Sequence, residues 1–340
     1  MRWNYENGLI LQAVKEASRL HLGGVHDAAL RNVAEALVSP GGSIAGYRID
    51  EFNIDQINAG KFVFSMWKDS GDERFKIAVE QLMGQLASHP RTASGSFWHK
   101  KIYPNQIWLD GLYMFGPFAA RCAMEFSNSA LFDDVCLQLL HARECMRDRA
   151  TGLYFHAMDE SRLMGWSDPN TGLSPHIWGR AVGWLSMALI DILDWLPENH
   201  QDRQAVIDMY RDLMKSVVAI QDGSGLWYQI LDMAGEPGNY PEESASAMFA
   251  YSLFKGMRTG MLGPVAFALP AERALTGIKD RFISRDATGR VHVNGICKVA
   301  GLGGNPYRDG SYAYYMSEPV ISDDYKGTGP LILALCEACR

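Results

Sequence analysis

Helical periodicity recurs from one end of the chain to the other and limits the fold more than any other feature. In eleven stretches the apolar residues return every three or four positions, as on one face of an α-helix. No alternating run of β-branched residues is long enough to build a sheet. The chain is therefore predicted to be all-α. The predicted helices cover residues 9–20, 28–37, 54–67, 75–86, 108–126, 131–146, 178–196, 206–220, 245–257, 271–282 and 331–336.

A weak internal repeat indicates that the helices come in similar pairs. Three segments share a turn signature, in which an aspartate precedes a glycine and then an apolar or aromatic residue. They are residues 148–154, 222–227 and 286–291. Helix pairs in series can form an open solenoid or close into a toroid, and the period alone does not distinguish the two. No linker marks a domain boundary.

The charge balance argues against nucleic acid as a partner. The formal net charge is −7, so the broad basic field that attracts phosphate backbones is missing. The opening segment carries Glu6, Lys15 and Glu16 among its apolar residues, unlike a secretory signal. No segment approaches the ~20 apolar residues of a membrane span. We therefore expect a soluble cytoplasmic protein without a membrane partner.

The six cysteines lie mostly inside apolar helical patterns, where a thiol behaves as a small hydrophobic group. Cys336 and Cys339 form a CxxC pair, but no second pair or histidine cluster offers further ligands. We predict neither disulfides nor a metal site.

Residues 95–114 hold the densest mixture of aromatic, charged and hydrogen-bonding side chains. Sugars have polar edges and weakly apolar faces, so their sites combine such groups. The alternative is a loop whose aromatic residues belong to the core and whose lysines are solvated. The side chains concerned are Trp98, His99, Lys100, Lys101, Tyr103, Trp108, Asp110 and Tyr113.

Asp110 opens an apolar helix, and its neighbours are expected to disfavour its ionised form. A carboxyl that keeps its proton near neutrality can act as a general acid. The alternative is an aspartate that caps the helix by binding backbone donors. Asp55, in a second apolar helical run, could be another inward carboxylate or could pair with a surface cation.

Two further segments offer groups that suit an acidic sugar. Arg180 lies near a helix start and could bind a carboxylate through two parallel hydrogen bonds, with Trp178 and Trp184 beside the sugar. Alternatively, Arg180 pairs with an acid and the tryptophans pack between helices. His156 lies three residues before Asp159, which could be its carboxylate partner; a catalytic role requires that it meets Asp110 in space.

Several enzyme classes lack their motifs in this chain. It contains no phosphate loop, dinucleotide glycine motif, zincin helix or nucleophile elbow. Kinase, dehydrogenase, metalloprotease and serine esterase functions are correspondingly disfavoured.

The chain resembles glycoside hydrolase family 105, the unsaturated rhamnogalacturonyl hydrolases, over nearly its whole length. The matching positions are Trp98-His99-Lys100, Tyr103-Pro104, the segment 108–114, Gly116-Pro117-Phe118, His156-Ala157, Trp178, Arg180, Gly183-Trp184, the segment 225–230, Glu243-Ser244 and Tyr314-Tyr315.

This resemblance implies one (α/α)6 barrel, a six-hairpin toroid, as a single domain over residues 1–340. It also implies that Asp110 is the catalytic aspartate and that no metal or organic cofactor takes part. The residues expected to bind substrate are Tyr5, Asp55, His99, Trp108, His156, Trp178, Arg180 and Trp184.

The implied reaction releases an unsaturated galacturonyl residue from a small rhamnogalacturonan (pectin) oligosaccharide by hydration of a vinyl ether. The chain departs from the usual pattern at Met158, His176 and Lys326, which could alter the subsite of the leaving sugar. A chain of this size can bury a sufficient core as a monomer, and a weak dimer remains open.

Three other functions remain open from the sequence. The related family 88 of unsaturated glucuronyl hydrolases acts on glycosaminoglycan fragments through the same chemistry. A sugar epimerase on a similar toroid would interconvert saturated sugars. A noncatalytic oligosaccharide-binding protein would retain the pocket without turnover.

Overall fold

The computed structural model of the protein describes residues 1–21 and 27–340, and these contain twelve α-helices. They are α1 (Tyr5–Arg19), α2 (Asp27–Leu37), α3 (Gly60–Ser70), α4 (Glu73–Ser88), α5 (Leu109–Glu125), α6 (Ser129–Met146), α7 (Gly179–Ile192), α8 (Arg203–Ala219), α9 (Glu243–Arg258), α10 (Pro264–Phe282), α11 (Tyr312–Ser317) and α12 (Tyr325–Ala338). Every predicted stretch overlaps one of them, which confirms the all-α prediction. The short α11 was not predicted, because its 6 residues are too few to show a period.

Six of these helices form a closed inner ring. In the order α1, α3, α5, α7, α9 and α12, each packs against the next, and α12 packs back against α1. All 14 residues of α7 are buried, as expected for a helix enclosed on every side. This closure resolves the choice between solenoid and toroid, and it confirms the (α/α)6 barrel.

The remaining long helices lie outside the ring. Each of α2, α4, α6, α8 and α10 packs against the inner helix that precedes it in the chain, so the pairs are helical hairpins. The inner helices therefore all run in the same direction, with their first turns at one end of the barrel.

Six short strands pair antiparallel, two by two, in the described residues. The pair that matters for the site is β1 with β2, which sets Trp108 opposite Ala157. The strands are β1 (Gln106–Trp108), β2 (Ala157–Asp159), β3 (Ile283–Arg285), β4 (Val291–Val293), β5 (Ile296–Cys297) and β6 (Val320–Ile321).

The same turn follows each of the outer helices α2, α4, α6, α8 and α10. Its first residue donates its N–H to the carbonyl of the last, and the first residue's side-chain oxygen accepts a backbone N–H. A glycine with positive φ completes each turn. The sequence repeat predicted only the three turns that begin with aspartate, because Ser39 and Thr92 take its place in the other two. The turns cover residues 39–43, 92–96, 148–153, 222–226 and 286–290.

A second recurring contact is a backbone hydrogen bond from the first residue of an inner helix to the loop that follows its hairpin. The first N–H of α5 donates to the carbonyl of His156, at 3.2 Å. The first N–H of α7 donates to Gln229, at 2.8 Å, and that of α9 donates to Gly295, at 3.0 Å. Each bond satisfies a donor that the helix itself leaves without a partner. Each acceptor lies in the loop beyond the next outer helix.

The predicted helix over residues 54–67 is interrupted. Asp55 lies in a separate 3₁₀ turn, Ile54–Ile57, and α3 begins only at Gly60. The side chain of Asn53 accepts the N–H of Asp55, which closes this tighter turn. Among the described residues, no helix is both long and apolar enough to cross a bilayer. The single domain over residues 1–340 stays a prediction.

Two of the recurring turns allow backbone strain to be separated from close packing. Gly225 and Gly289 have φ of +86° and +84°, but a Cβ at Gly225 would overlap the Arg273 carbonyl, whereas one at Gly289 meets open space. We expect Gly289→Ala to cost about 1–2 kcal/mol of unfolding free energy. Gly225→Ala should cost about 1–3 kcal/mol more. Urea unfolding of both variants measures the difference, and equal losses would contradict the packing argument.

Candidate active site

The first turns of the inner helices bring most of the predicted site residues to one end of the barrel. Tyr5 begins α1, Asp110 and Arg180 are the second residues of α5 and α7, and Asp55 lies just before α3. Burial raises the pKa of the Tyr5 phenol well above its usual value. Nearby carboxylates, including Asp55 and Asp110, add to this rise and Arg180 opposes it. These charged groups therefore surround one centre.

Asp110 meets His156 at this centre, which is the contact that a catalytic role of His156 would require. Its Oδ2 lies 3.5 Å from His156 Nε2, because the pairing of β1 with β2 sets the two chain segments side by side. That oxygen is buried and makes no hydrogen bond to a described residue. The Asp110 side chain as a whole is 16% exposed. One oxygen of Asp110 therefore has no hydrogen-bond partner among the described residues, while the side chain as a whole reaches solvent.

Tyr315 fixes the orientation of the His156 ring. Its Oη lies 2.7 Å from His156 Nδ1. Burial raises the pKa of Tyr315 well above its usual value, so the phenol keeps its proton and is able to donate it to Nδ1 in the tautomer that leaves this nitrogen unprotonated. In the neutral ring the remaining proton is then on Nε2, which faces Asp110.

Asp159 is not the partner of His156, so that part of the sequence interpretation is wrong. Its carboxylate accepts hydrogen bonds from the backbone of Ser161, Leu163 and Met164 instead. The three-residue spacing failed as a signal because His156 directly precedes β2 and Asp159 ends it, and residues three apart in an extended segment point to opposite faces.

Asp55 forms a compact charge group with two residues of the following hairpin. Lys100 Nζ lies 2.6 Å from one of its oxygens, and His99 Nε2 lies 3.5 Å from the other. Burial alone would raise the pKa of Asp55, but Lys100 and then His99 outweigh it and hold the pKa below its usual range. Burial lowers the pKa of His99 to about 4. Near pH 7 the group contains an ionised acid, a cationic lysine and a neutral histidine.

Stacked rings form the wall between these two groups. Trp108 stacks with His99 and with Tyr103, at centroid separations of 4.6 and 5.3 Å. The His156 ring lies 5.3 Å from Trp108 and 4.6 Å from Trp178. Since Trp108 is 6% exposed and Trp178 1%, both tryptophans act chiefly on the orientation of the histidines.

The Arg180 guanidinium is held from one side only. Its Nη1 donates to the Cys297 carbonyl and to Ser244 Oγ, and it lies 3.9 Å from Glu242 Oε1. Its plane lies over the Trp178 ring, 4.6 Å from the centroid. Nη1 donates all the hydrogen bonds that the Arg180 side-chain nitrogens make to described residues. The other N–H groups of the guanidinium can therefore donate to another acceptor.

Trp184 lies deeper in the barrel than the other predicted residues. It is one turn beyond Arg180 on α7, and its ring stacks on Tyr113 at 4.8 Å. The structure shows it packed between helices, as the alternative sequence interpretation proposed. A direct substrate contact of Trp184 stays a prediction.

The three departures from the family pattern all border the site. Lys326, in the first turn of α12, is buried and lies 3.0 Å from Glu6 Oε1. Met158 lies in β2, opposite Ile107. The His176 carbonyl accepts the N–H of His156 at 3.3 Å, and burial lowers the pKa of the His176 ring.

Three contributors to the site were given no role from the sequence, although two of them, Lys100 and Tyr315, stand at positions that match the family pattern. Lys100 stood in the densest segment but was a candidate solvated lysine. Glu242 and Tyr315 act across the ring on residues far away in sequence, so no local spacing could reveal them.

One cluster in the described residues has the side chains of a metal site, but it lies away from this centre. Ligand atoms of Cys136, His200 and Asp202 lie within 4.8 Å of one another. His200 Nδ1 accepts the N–H of Asp202, which occupies the lone pair that a metal would need.

Removing the Tyr315 hydroxyl should weaken turnover without unfolding the protein. Tyr315→Phe loses the bond that fixes the His156 ring, and one hydrogen bond of about 0.5–1.5 kcal/mol corresponds to a two- to tenfold loss in kcat/KM. Steady-state kinetics on an unsaturated uronyl disaccharide measures it. Tyr314→Phe is the matched control, because that hydroxyl accepts a bond from Gly301. Equal losses in both variants would contradict the assigned role of Tyr315.

Comparison with known proteins places this geometry among carbohydrate-active enzymes. A sequence model described as Glycosyl Hydrolase Family 88 matches residues 1–340. A solved glycoside hydrolase from family 105 of C. acetobutylicum ATCC 824 is 42% identical, with a TM-score of 0.95. The match covers 99% of this chain and 93% of that one.

Two curated proteins illustrate the range of relatives. Protein Atu3128 of Agrobacterium fabrum is 44% identical over 227 residues, 65% of this chain and 97% of that protein. The unsaturated rhamnogalacturonyl hydrolase YesR of Bacillus subtilis is 27% identical over 257 residues, 74% of this chain and 70% of that protein. The unsaturated glucuronyl hydrolase of Bacillus sp. GL1 shares the fold, with 16% identity and a TM-score of 0.63 over 86% of this chain and 75% of that one.

Proposed function

The chain belongs to glycosyl hydrolase family 88, and we propose that it releases the 4-deoxy-4,5-unsaturated galacturonyl residue from rhamnogalacturonan oligosaccharides. The protein is a glycoside hydrolase, and its relatives are unsaturated uronyl hydrolases. The observation that carries the proposal is the unpartnered oxygen of Asp110, buried beside His156 at the end of the barrel.

The electrostatics of this end suit an anionic sugar. The inner helices direct their N-termini towards it, and each N-terminus carries a partial positive charge. Arg180 has part of its guanidinium free for a carboxylate, and Lys100, whose side chain is 23% exposed, adds a second cation. Because His99 is neutral near pH 7, the proposal assigns the charge compensation of the uronate to Arg180 and Lys100 rather than to that histidine.

The proposed reaction hydrates the double bond of the uronyl ring. Protonated Asp110 donates its proton to carbon 4, and the positive charge that develops at carbon 5 is shared with the ring oxygen. Water adds at carbon 5 and passes a proton to the ionised Asp110. The resulting hemiketal opens by breaking the bond between carbon 5 and the ring oxygen, which leaves a ketone at carbon 5 and a hemiacetal at carbon 1. Collapse of this hemiacetal to an aldehyde breaks the glycosidic bond and releases the neighbouring sugar. The cycle regenerates the acid and consumes one water.

The two acids have different surroundings, which supports different roles. Asp55 is ionised and paired with Lys100, so it is suited to bind ring hydroxyls. His156 would bind the Asp110 carboxylate after proton transfer.

Two comparisons support the galacturonyl substrate over a glucuronyl one. The family 105 structure is far more similar to this chain than the glucuronyl hydrolase of Bacillus sp. GL1, at 42% against 16% identity. YesR, whose name specifies rhamnogalacturonyl, matches over three quarters of the chain.

Asp110→Asn should lower turnover by at least ~10²- to 10⁴-fold, the usual contribution of general acid catalysis. The measurement is the ultraviolet absorbance of an unsaturated galacturonyl-rhamnose disaccharide, which falls as the conjugated double bond is hydrated. Asp280→Asn, at an exposed position on α10, is the matched control and should keep wild-type activity. A folded Asp110→Asn with near-normal turnover would contradict the assignment.

The substrate is tested with the same assay on an unsaturated glucuronyl disaccharide derived from a glycosaminoglycan. We expect a kcat/KM for the galacturonyl-rhamnose disaccharide at least tenfold higher. Preference for the glucuronyl substrate would overturn the proposed specificity but retain the chemistry. Binding of both disaccharides by the wild-type protein without loss of either double bond would indicate a sugar-binding protein.

A further inference from the structure

A second cavity lies at the opposite end of the barrel from Asp110, where α3 contributes its first two turns and the other inner helices contribute their later ones. Its volume is about 240 Å³, and every inner helix contributes to its wall. At ~30 Å³ for each water molecule, it could hold roughly eight. Among the described residues that line it, seven are lysine or arginine and four are aspartate or glutamate. Two of the seven cations, Lys15 and Arg19, pair with Asp27 and Asp69, which do not line the cavity, so the excess of positive charge is smaller than this count.

Many of these charges already have partners. Lys255 lies 2.6 Å from Asp191 and 2.7 Å from Asp194. Arg258 and Arg340 both bind Glu337. Such pairs are internally compensated and offer little to a ligand.

Lys61 is the exception that points to a ligand. It is 4% exposed, and no carboxylate of a described residue lies within ion-pair distance of it. Its ammonium contacts only the Tyr113 carbonyl, at 3.3 Å, and the face of the Tyr113 ring. Lys61 is also the second residue of α3, so the helix dipole disfavours its charge. A buried cation without a partner is costly to the folded state.

Arg121 provides a second cation on the same wall. Its Nη1 donates to Ser65 Oγ at 2.8 Å, and Ser65 lies one turn after Lys61 on α3. Its guanidinium lies over the Phe64 ring, 4.1 Å from the centroid. Like Lys61, it forms no ion pair with a carboxylate of the described residues.

Tyr113 adds an unused donor near this wall. Its hydroxyl is fully buried and makes no hydrogen bond to a described residue. Burial raises the pKa of Tyr113 well above its usual value, and Asp191, which lines the cavity, raises this pKa further. The Tyr113 hydroxyl therefore keeps its proton and remains a donor.

We propose that this cavity binds a small oxyanion, held between Lys61 and Arg121. The ligand class is inorganic phosphate or a small carboxylic acid, since the cavity is too small for an oligosaccharide. Binding would give Lys61 a counter-charge in direct contact, whereas the protein supplies only Asp191, which acts on the Lys61 pKa without forming an ion pair with it. Burial lowers the pKa of Lys61 to about 7, and a bound anion would raise that pKa again.

The test uses inorganic phosphate with the intact protein at constant ionic strength, set with chloride. Calorimetric titration should show binding to wild type, and thermal unfolding should move to higher temperature as phosphate is added. Lys61→Met and Arg121→Gln should each weaken binding at least tenfold. The matched controls are Lys68→Met, an exposed lysine on the same helix, and Arg143→Gln on α6; both should behave as wild type.

The stability of Lys61→Met without phosphate provides an internal check. Replacing an uncompensated buried charge with an apolar side chain of similar size is expected to leave stability unchanged or to increase it. This variant should therefore unfold at the wild-type temperature or higher in chloride, and it should gain nothing from phosphate.

Three outcomes would overturn the proposal. They are the absence of phosphate binding to wild type up to ~10 mM, equal stabilisation of wild type and Lys61→Met, and binding that only competes with the uronyl substrate. The last would place phosphate at Arg180, whereas occupation of the far cavity leaves KM for the substrate unchanged.

Discussion

The site depends on a backbone hydrogen bond that joins the start of one inner helix to the loop beyond the next outer helix. In α5 this bond runs from Leu109 to the His156 carbonyl. It supplies an acceptor for a helix N–H that would otherwise lack one, and it also fixes which side chains meet. Asp110 follows the donor directly, and His156 is the acceptor. The same bond therefore completes the fold and assembles the acid with its histidine.

Asp110 and Asp55 show how much the surroundings of two identical side chains can differ within one pocket. Asp55 has a lysine at 2.6 Å and remains ionised, whereas an oxygen of Asp110 has only the edge of a histidine nearby. Arg180 is held by Ser244 and the Cys297 carbonyl, so its position is fixed before a ligand arrives. Such preorganisation lets binding and proton transfer proceed with little rearrangement of the protein.

The sequence predicts the helices well, because their apolar periods are local and long. It also locates Asp110 at a helix start, where the structure has it. The sequence-based prediction fails where a contact depends on the closure of the inner helices into a barrel. The partner of His156 comes from the preceding hairpin rather than from Asp159, and the interruption after Asp55 depends on a side-chain cap at Asn53. For Lys100 the sequence left both a sugar site and a solvated loop open, because only the folded barrel brings it to Asp55.

The contact between α1 and α12 joins the two ends of the described chain, and it affects how such a molecule can be made. Until α12 has left the ribosome, the ring lacks one member, and the apolar sides of α1 and α9 that it covers remain open to water. Hairpins can form in order as they emerge, since their contacts are local. The enclosed space at either end exists only after the last helix docks. Sugar-binding capacity should therefore appear in one step, when α12 docks, rather than accumulate hairpin by hairpin.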